Sequence, residues 1–119
     1  MSKRTVLDFR SQGDPWPTID SWAQQSGYRL KEGSGPNRLY EKRMGIMIPM
    51  MLQIQQADDQ LHVEAWVQAT RATQTFSLNL NPAELGIESG GDIHYRIPRR
   101  IARHDVNKLL NSLGRPPIA

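Results

Sequence analysis

Between residues 50 and 80 apolar and polar side chains alternate along the chain. Met50, Leu52 and Ile54 alternate with Met51, Gln53 and Gln55. After Ala57-Asp58-Asp59-Gln60 the alternation resumes, with Leu61, Val63, Ala65 and Val67 set against His62, Glu64, Trp66 and Gln68. A period of 2 belongs to a half-buried strand. Folding the chain back with Asp58-Asp59 as a two-residue loop places Ile54 opposite Val63, Leu52 opposite Ala65 and Met50 opposite Val67. On the other face Gln55 then meets His62, Gln53 meets Glu64, and Met51 meets Trp66. A slip of one residue sets every apolar side chain against a polar one, so the pattern specifies the register. Turning the chain again at Thr70-Arg71 puts Ala65 opposite Phe76, Val63 opposite Leu78 and Leu61 opposite Leu80. That pair lacks the Asn or Gly a tight primed turn wants, which points to a longer or bulged loop. The pattern predicts a three-strand antiparallel meander as the spine of the fold.

Other elements follow from local signals. Thr5-Val6-Leu7-Asp8-Phe9 reads as a first strand with Leu7 and Phe9 on one face. Gly13-Asp14-Pro15-Trp16-Pro17 interrupts it. A short helix then starts at Thr18 as N-cap, buries Ile19, Trp22, Ala23 and Ser26, and stops at Gly27. Tyr28-Arg29-Leu30-Lys31 and Arg38-Leu39-Tyr40-Glu41 flank a turn-rich loop and read as a second hairpin. Met44-Gly45-Ile46-Met47-Ile48-Pro49-Met50-Met51 holds four of the five methionines, and its Gly and Pro imply a bend, bulge or edge. Asn81-Pro82-Ala83-Glu84 carries a helix-start signature, with Asn81 as cap, Pro82 at the first position and Glu84 reaching back. Ile93, Tyr95 and Ile97 alternate as a last strand. Ile101, Ala102, Val106, Leu109, Leu110 and Leu113 then make the apolar stripe of a final helix, opened by Pro98 and closed by Gly114 before Pro116-Pro117. The order implies one α+β domain over residues 1–119. It is a twisted antiparallel sheet of about five to seven strands, with an N-terminal short helix and a C-terminal helix packed on one face. That order also resembles half of a TATA-binding protein and a shortened helix-grip domain, likenesses of element order from which no function follows.

A chain of 119 residues buries roughly 65% of its unfolded surface, enough for one self-sufficient core. The absence of cysteine excludes disulfides, thiol catalysis and Cys-ligated zinc. No apolar run approaches the roughly 20 residues of a membrane span, and no apolar signal core follows the basic start, so the expectation is a cytoplasmic protein. The formal charge of +3 conceals an asymmetry. Residues 44–95 carry one basic side chain against six acidic ones, whereas residues 96–119 carry six against one. Such a division suits either a polyanion site or internal complementarity.

Four places invite a chemical reading. Arg96, Arg99, Arg100 and Arg103 crowd the start of the last helix, where the macrodipole disfavours them. With Lys108 they form a candidate site for nucleic acid or another polyanion, including an anionic membrane surface. The opposing reading pairs them internally with Glu84, Glu88 or Asp92. The outer face of the meander presents Met51, Gln53, His62, Glu64 and Trp66, and a Trp on a polar face can anchor a protein partner or a second copy; the opposing reading has another segment covering it. His62 beside Glu64 has the spacing of two metal ligands or an acid–base pair, but no third or fourth ligand is evident, so no metal site is assigned. The methionines of residues 44–51 offer an adaptable binding surface or a shallow membrane contact, against the opposing reading that they fill an irregular core, and with Leu109 they could line a hydrophobic-ligand pocket between the sheet and the last helix. No catalytic residues and no cofactor are assigned, since nucleophile triads, carboxylate pairs and phosphate-binding glycine loops are all missing from the sequence.

Asn81-Pro82-Ala83-Glu84-Leu85-Gly86-Ile87-Glu88-Ser89-Gly90-Gly91 and Ile97-Pro98-Arg99-Arg100-Ile101-Ala102-Arg103, with Glu64-Ala65-Trp66-Val67 and Pro49-Met50-Met51, resemble a family of small uncharacterised bacterial proteins. The resemblance implies a bacterial origin and transfers no functional residue. Taken together, the first reading is a non-enzymatic protein-binding or adaptor domain. The alternatives are a polyanion binder using the last helix and a hydrophobic-ligand pocket; an enzyme comes last.

Overall fold

Strands β4 (Met50–Ala57) and β5 (Gln60–Gln68) form the hairpin that the alternation predicts, residue for residue: Met50 pairs with Val67, Leu52 with Ala65 and Ile54 with Val63. Asp58 closes the turn at φ 56°, a left-handed conformation that Asp tolerates better than most residues. The computed structural model describes residues 4–43, 48–68, 84–90 and 95–119. Its other elements are β1 (Thr5–Arg10), α1 (Trp16–Ser26), β2 (Arg29–Ser34), β3 (Asn37–Lys42), β6 (Glu84–Leu85) and α2 (Arg96–Ser112). Together they make an α+β fold: an open six-stranded antiparallel sheet in the order β2-β3-β4-β5-β1, with β6 continuing the β1 edge.

The neighbour of β5 differs from the expected one. Phe76, Leu78 and Leu80 lie outside the described residues, and the edge of β5 assigned to them carries β1 instead. Thr5 pairs with Ala65, Leu7 with Val63 and Phe9 with Leu61, while Leu85 takes the place beside Val67. Both strands offer apolar side chains at alternate positions, so the period alone does not say which one docks. β2 forms the opposite edge. All six of its residues are exposed, and the ladder with β3 shifts between Leu30 and Glu32. A bulged, charged edge of this kind resists pairing with another strand.

α1 begins earlier than Thr18. The Asp14 carboxylate accepts the Trp16 N–H at 3.1 Å, and Pro17 sits in the first turn, where its missing N–H costs nothing. Gly27, at φ 82°, ends the helix as expected, and Tyr28 N–H returns to the Ala23 carbonyl. Asn81, Pro82 and Ala83 lie outside the described residues. Glu84, however, belongs to β6 rather than to a helix. Ile97 likewise lies in the first turn of α2, not in a strand, because Tyr95 at φ 61° breaks the extended chain just before it.

Ile19, Trp22 and Ala23 of α1 and Ala102, Val106, Leu109 and Leu110 of α2 pack on Phe9, Tyr40, Leu52, Ile54, Leu61 and Val63 of the sheet. Met50 and Leu109, assigned to a ligand pocket by one sequence reading, are buried within this packed core. The Trp22 indole stacks on Tyr28 with ring centres 4.7 Å apart and donates to the Asp105 carbonyl at 2.8 Å. One aromatic side chain thus fixes α1 against α2. Among the described residues, no helix is long and apolar enough to cross a membrane.

Candidate functional site

The outer sheet face carries a chain of charges around Trp66. Continuing the β1–β5 register by one residue brings Arg4 opposite Trp66, and its guanidinium stacks 3.6 Å from the centre of the indole ring. Its nitrogens reach Glu84 at 2.7 and 2.8 Å, Glu64 at 3.0 Å and the Gln53 amide at 3.2 Å. This planar, multidentate engagement is what guanidinium geometry permits and ammonium does not. The two carboxylates, Glu84 foremost, raise the Arg4 pKa further above its ordinary value. Trp66 and Met51 are both buried, with Arg4 over the indole, whereas Gln53, His62 and Glu64 of the same face stay partly exposed.

His62 stands next along the same face. Its Nε2 lies 2.6 Å from Glu64 and its Nδ1 2.6 Å from Asp8. Hydrogen bonds to both carboxylates require both ring nitrogens to carry protons, which favours imidazolium. Glu64, then Asp8, accordingly raises the His62 pKa, and His62 lowers that of Glu64. A histidine with both nitrogens committed has no lone pair for a metal ion or a substrate proton. Among the described residues no cluster of three or more His, Asp or Glu side chains is arranged to hold a metal.

The basic side chains of α2 divide into two groups. Arg99 donates from Nε to the Gly86 carbonyl at 2.7 Å and from Nη2 to that of Glu88 at 2.8 Å, and Arg103 donates to Ile87 at 3.2 Å. These two arginines turn inward and satisfy the backbone of the loop after β6; their described partners are carbonyls, not the carboxylates of Glu84 and Glu88. Asp92 lies outside the described residues. Arg96, Arg100 and Lys108 are exposed, with His104 between them, and none of the four meets a carboxylate among the described residues. Spaced every four residues, they form one ridge that crosses the open face of the helix obliquely. Ile97, 66% exposed, stands beside that ridge.

Outside α2, six of the eight described basic side chains, Arg4 among them, have a carboxylate neighbour, while Arg29 and Arg115 have none among the described residues. Arg10 meets Asp59, Lys31 and Arg43 meet Glu41, Arg38 meets Asp20, and Lys42 meets Asp105. Asp105 is the only acid of α2, and it points into the protein, where Lys42 neutralises it. The open face of α2 therefore carries no acidic residue of its own.

Between α1 and α2 runs a polar groove of about 700 Å³. Thr18, Ser21, Gln25 and Ser26 line one side, Lys108, Asn111 and Ser112 the other, and Trp22 forms the base. Lys108 belongs to both ridge and groove.

Arg4, Asp8, Asp105 and Lys42 were missed as interacting residues. Arg4 shares the odd–even parity of Asp8 along β1, but this has meaning only once β1 is placed beside β5. Asp105 gave a local signal: it falls on the apolar side of the helical wheel between Ala102 and Leu109. Comparison of the chain with protein-family models, with curated proteins and with solved structures finds no match.

Proposed function

We propose that this protein is a non-catalytic binding domain that engages an extended polyanion through the exposed ridge of α2. The observation that carries the reading is the row Arg96, Arg100, His104 and Lys108, without a carboxylate neighbour among the described residues, on a protein that pairs most of its other described cations. Twelve residues of helix between Arg96 and Lys108 span about 18 Å, so the ridge matches a linear polymer better than a single small ion. Unpaired cations at such spacing raise the local concentration of an anionic polymer and release its counterions on contact. The inward turn of Arg99 and Arg103 supports the same reading, because it stiffens the helix start that presents Arg96 and Arg100. Trp66 supports the alternative of a protein partner less well, since it lies under Arg4 rather than at the surface.

Fluorescence anisotropy with a labelled oligonucleotide tests this. Three permanent charges predict a log–log salt slope of about −2 to −3, a loss of roughly 15- to 60-fold between 50 and 200 mM salt. The triple variant R96E/R100E/K108E is expected to lose binding while keeping its melting profile. No binding by the wild-type protein at 50 mM salt overturns the proposal.

A further inference from the structure

We infer that the polyanion is single-stranded RNA, and that the groove between α1 and α2 receives a ribose at the Lys108 end of the cationic ridge. This rests on the reading of the ridge as the polyanion surface and adds a sugar site to it.

The groove has the chemistry for a neutral polyol beside a phosphate. Its lining offers the hydroxyls of Thr18, Ser21, Ser26 and Ser112 and the amides of Gln25 and Asn111. Each of these groups both donates and accepts hydrogen bonds, as a ribose 2′-hydroxyl does. Among the described residues no carboxylate lines the groove to repel a phosphate, and Lys108 supplies the one charge there, at the point where the ridge ends. The Gln25 amide lies 3.4 Å from the Ser21 hydroxyl, so the two already share a face of α1. A volume of about 700 Å³ accommodates a nucleotide, within the range usual for small-ligand clefts.

The groove is also held in shape before any ligand arrives. The Trp22 indole bond to the Asp105 carbonyl ties the two helices together at its base, and Lys42 fixes Asp105 from the sheet. Preformed walls spare the ordering cost that a soft surface would incur on binding. Trp22 is stacked on Tyr28 and buried, so its ring face is not presented to a base. The groove therefore reads sugar and not base, and binding is expected to be indifferent to sequence. A duplex keeps its sugars in a regular backbone, whereas a single strand can turn one residue into a groove of this size.

Anisotropy titrations with RNA and DNA single strands of the same sequence, at one salt concentration, test the inference. RNA is expected to bind about five- to tenfold more tightly than DNA, the scale of one or two net hydrogen bonds. The variant S21A/Q25A/N111A, altered only at exposed helical positions, is expected to bring RNA affinity down to that of DNA and leave DNA binding unchanged. Equal wild-type affinities overturn the ribose site alone, as does a groove variant that weakens both strands alike. Tighter binding of duplex than of single-stranded RNA overturns the choice of strand. If neither nucleic acid binds, the ridge reading falls, and the ribose site with it.

Discussion

Lys42 Nζ lies 2.7 Å from Asp105 Oδ2, and this contact joins β3 to the middle of α2. Both side chains are largely shielded, with 15% and 8% of their surface exposed. Lys42→Met leaves a carboxylate among apolar neighbours without its counter-charge and is expected to cost roughly 2–4 kcal/mol. Adding Asp105→Leu to that variant should recover much of the loss, because the buried charge goes with its partner. Urea denaturation of both single variants and the double variant checks this, and strict additivity would argue against coupling.

Arg4 covers Trp66 and ties Glu64 to Glu84, so its removal should be visible in fluorescence. Arg4→Ala is expected to shift tryptophan emission to longer wavelength and increase quenching by acrylamide, with a stability loss of about 1–3 kcal/mol. Arg4→Lys should restore little of this, since an ammonium cannot serve two carboxylates while lying flat on an indole. An unchanged emission spectrum in Arg4→Ala would show that the ring is covered without it.

Thr5 Oγ1 accepts the buried backbone N–H of Ile87 at 2.8 Å. Thr5→Val keeps the shape and removes the acceptor. The unsatisfied N–H is expected to cost about 1–3 kcal/mol, whereas Thr5→Ser should cost less because the acceptor remains. Equilibrium denaturation of the two variants separates hydrogen bonding from packing.

His62 confers a pH dependence whose sign follows from its neighbours. Its folded pKa is raised by Glu64 and Asp8, so its contribution is complete below the unfolded value near 6.5 and is lost as pH rises through the folded value. Glu64 is shifted the other way, so its share is complete above about 4.3 and is lost as pH falls through its folded value. The cluster is therefore most stabilising at about pH 5–6. His62 is about one-third exposed, and screening limits the effect. Wild-type Tm should fall by about 1–3 °C relative to His62→Gln between pH 6 and 9. Parallel curves for the two proteins would remove His62 from this account.

The β4–β5 register was legible because two alternating runs flank a turn only two residues long. Chain closure left few alternatives, and each slip exposed an apolar row. The position of β1 was not legible, because its period announces a strand without naming a neighbour 60 residues away. Glu84 shows a local signal overruled: Asn81-Pro82-Ala83-Glu84 has helix-start chemistry, yet Glu84 is used as a carboxylate for Arg4 at the other end of the chain. The partners of Arg99 and Arg103 were hidden for a different reason. They are backbone carbonyls, which every residue possesses and no sequence distinguishes.

Placing β1 between the solvent and β5 also orders events during synthesis. Residues 5–10 leave the ribosome well before their partners, Gln60 to Ala65, so this strand waits unpaired by β5 while more than fifty further residues are made. The hairpins β2–β3 and β4–β5 close over short loops and can assemble during that wait. Of the described strands, β1 is thus translated before the others yet is among the last to dock. Until it does, the β5 edge is open to any extended chain nearby, which makes the interval before β1 arrives the period when a newborn copy is most prone to associate wrongly.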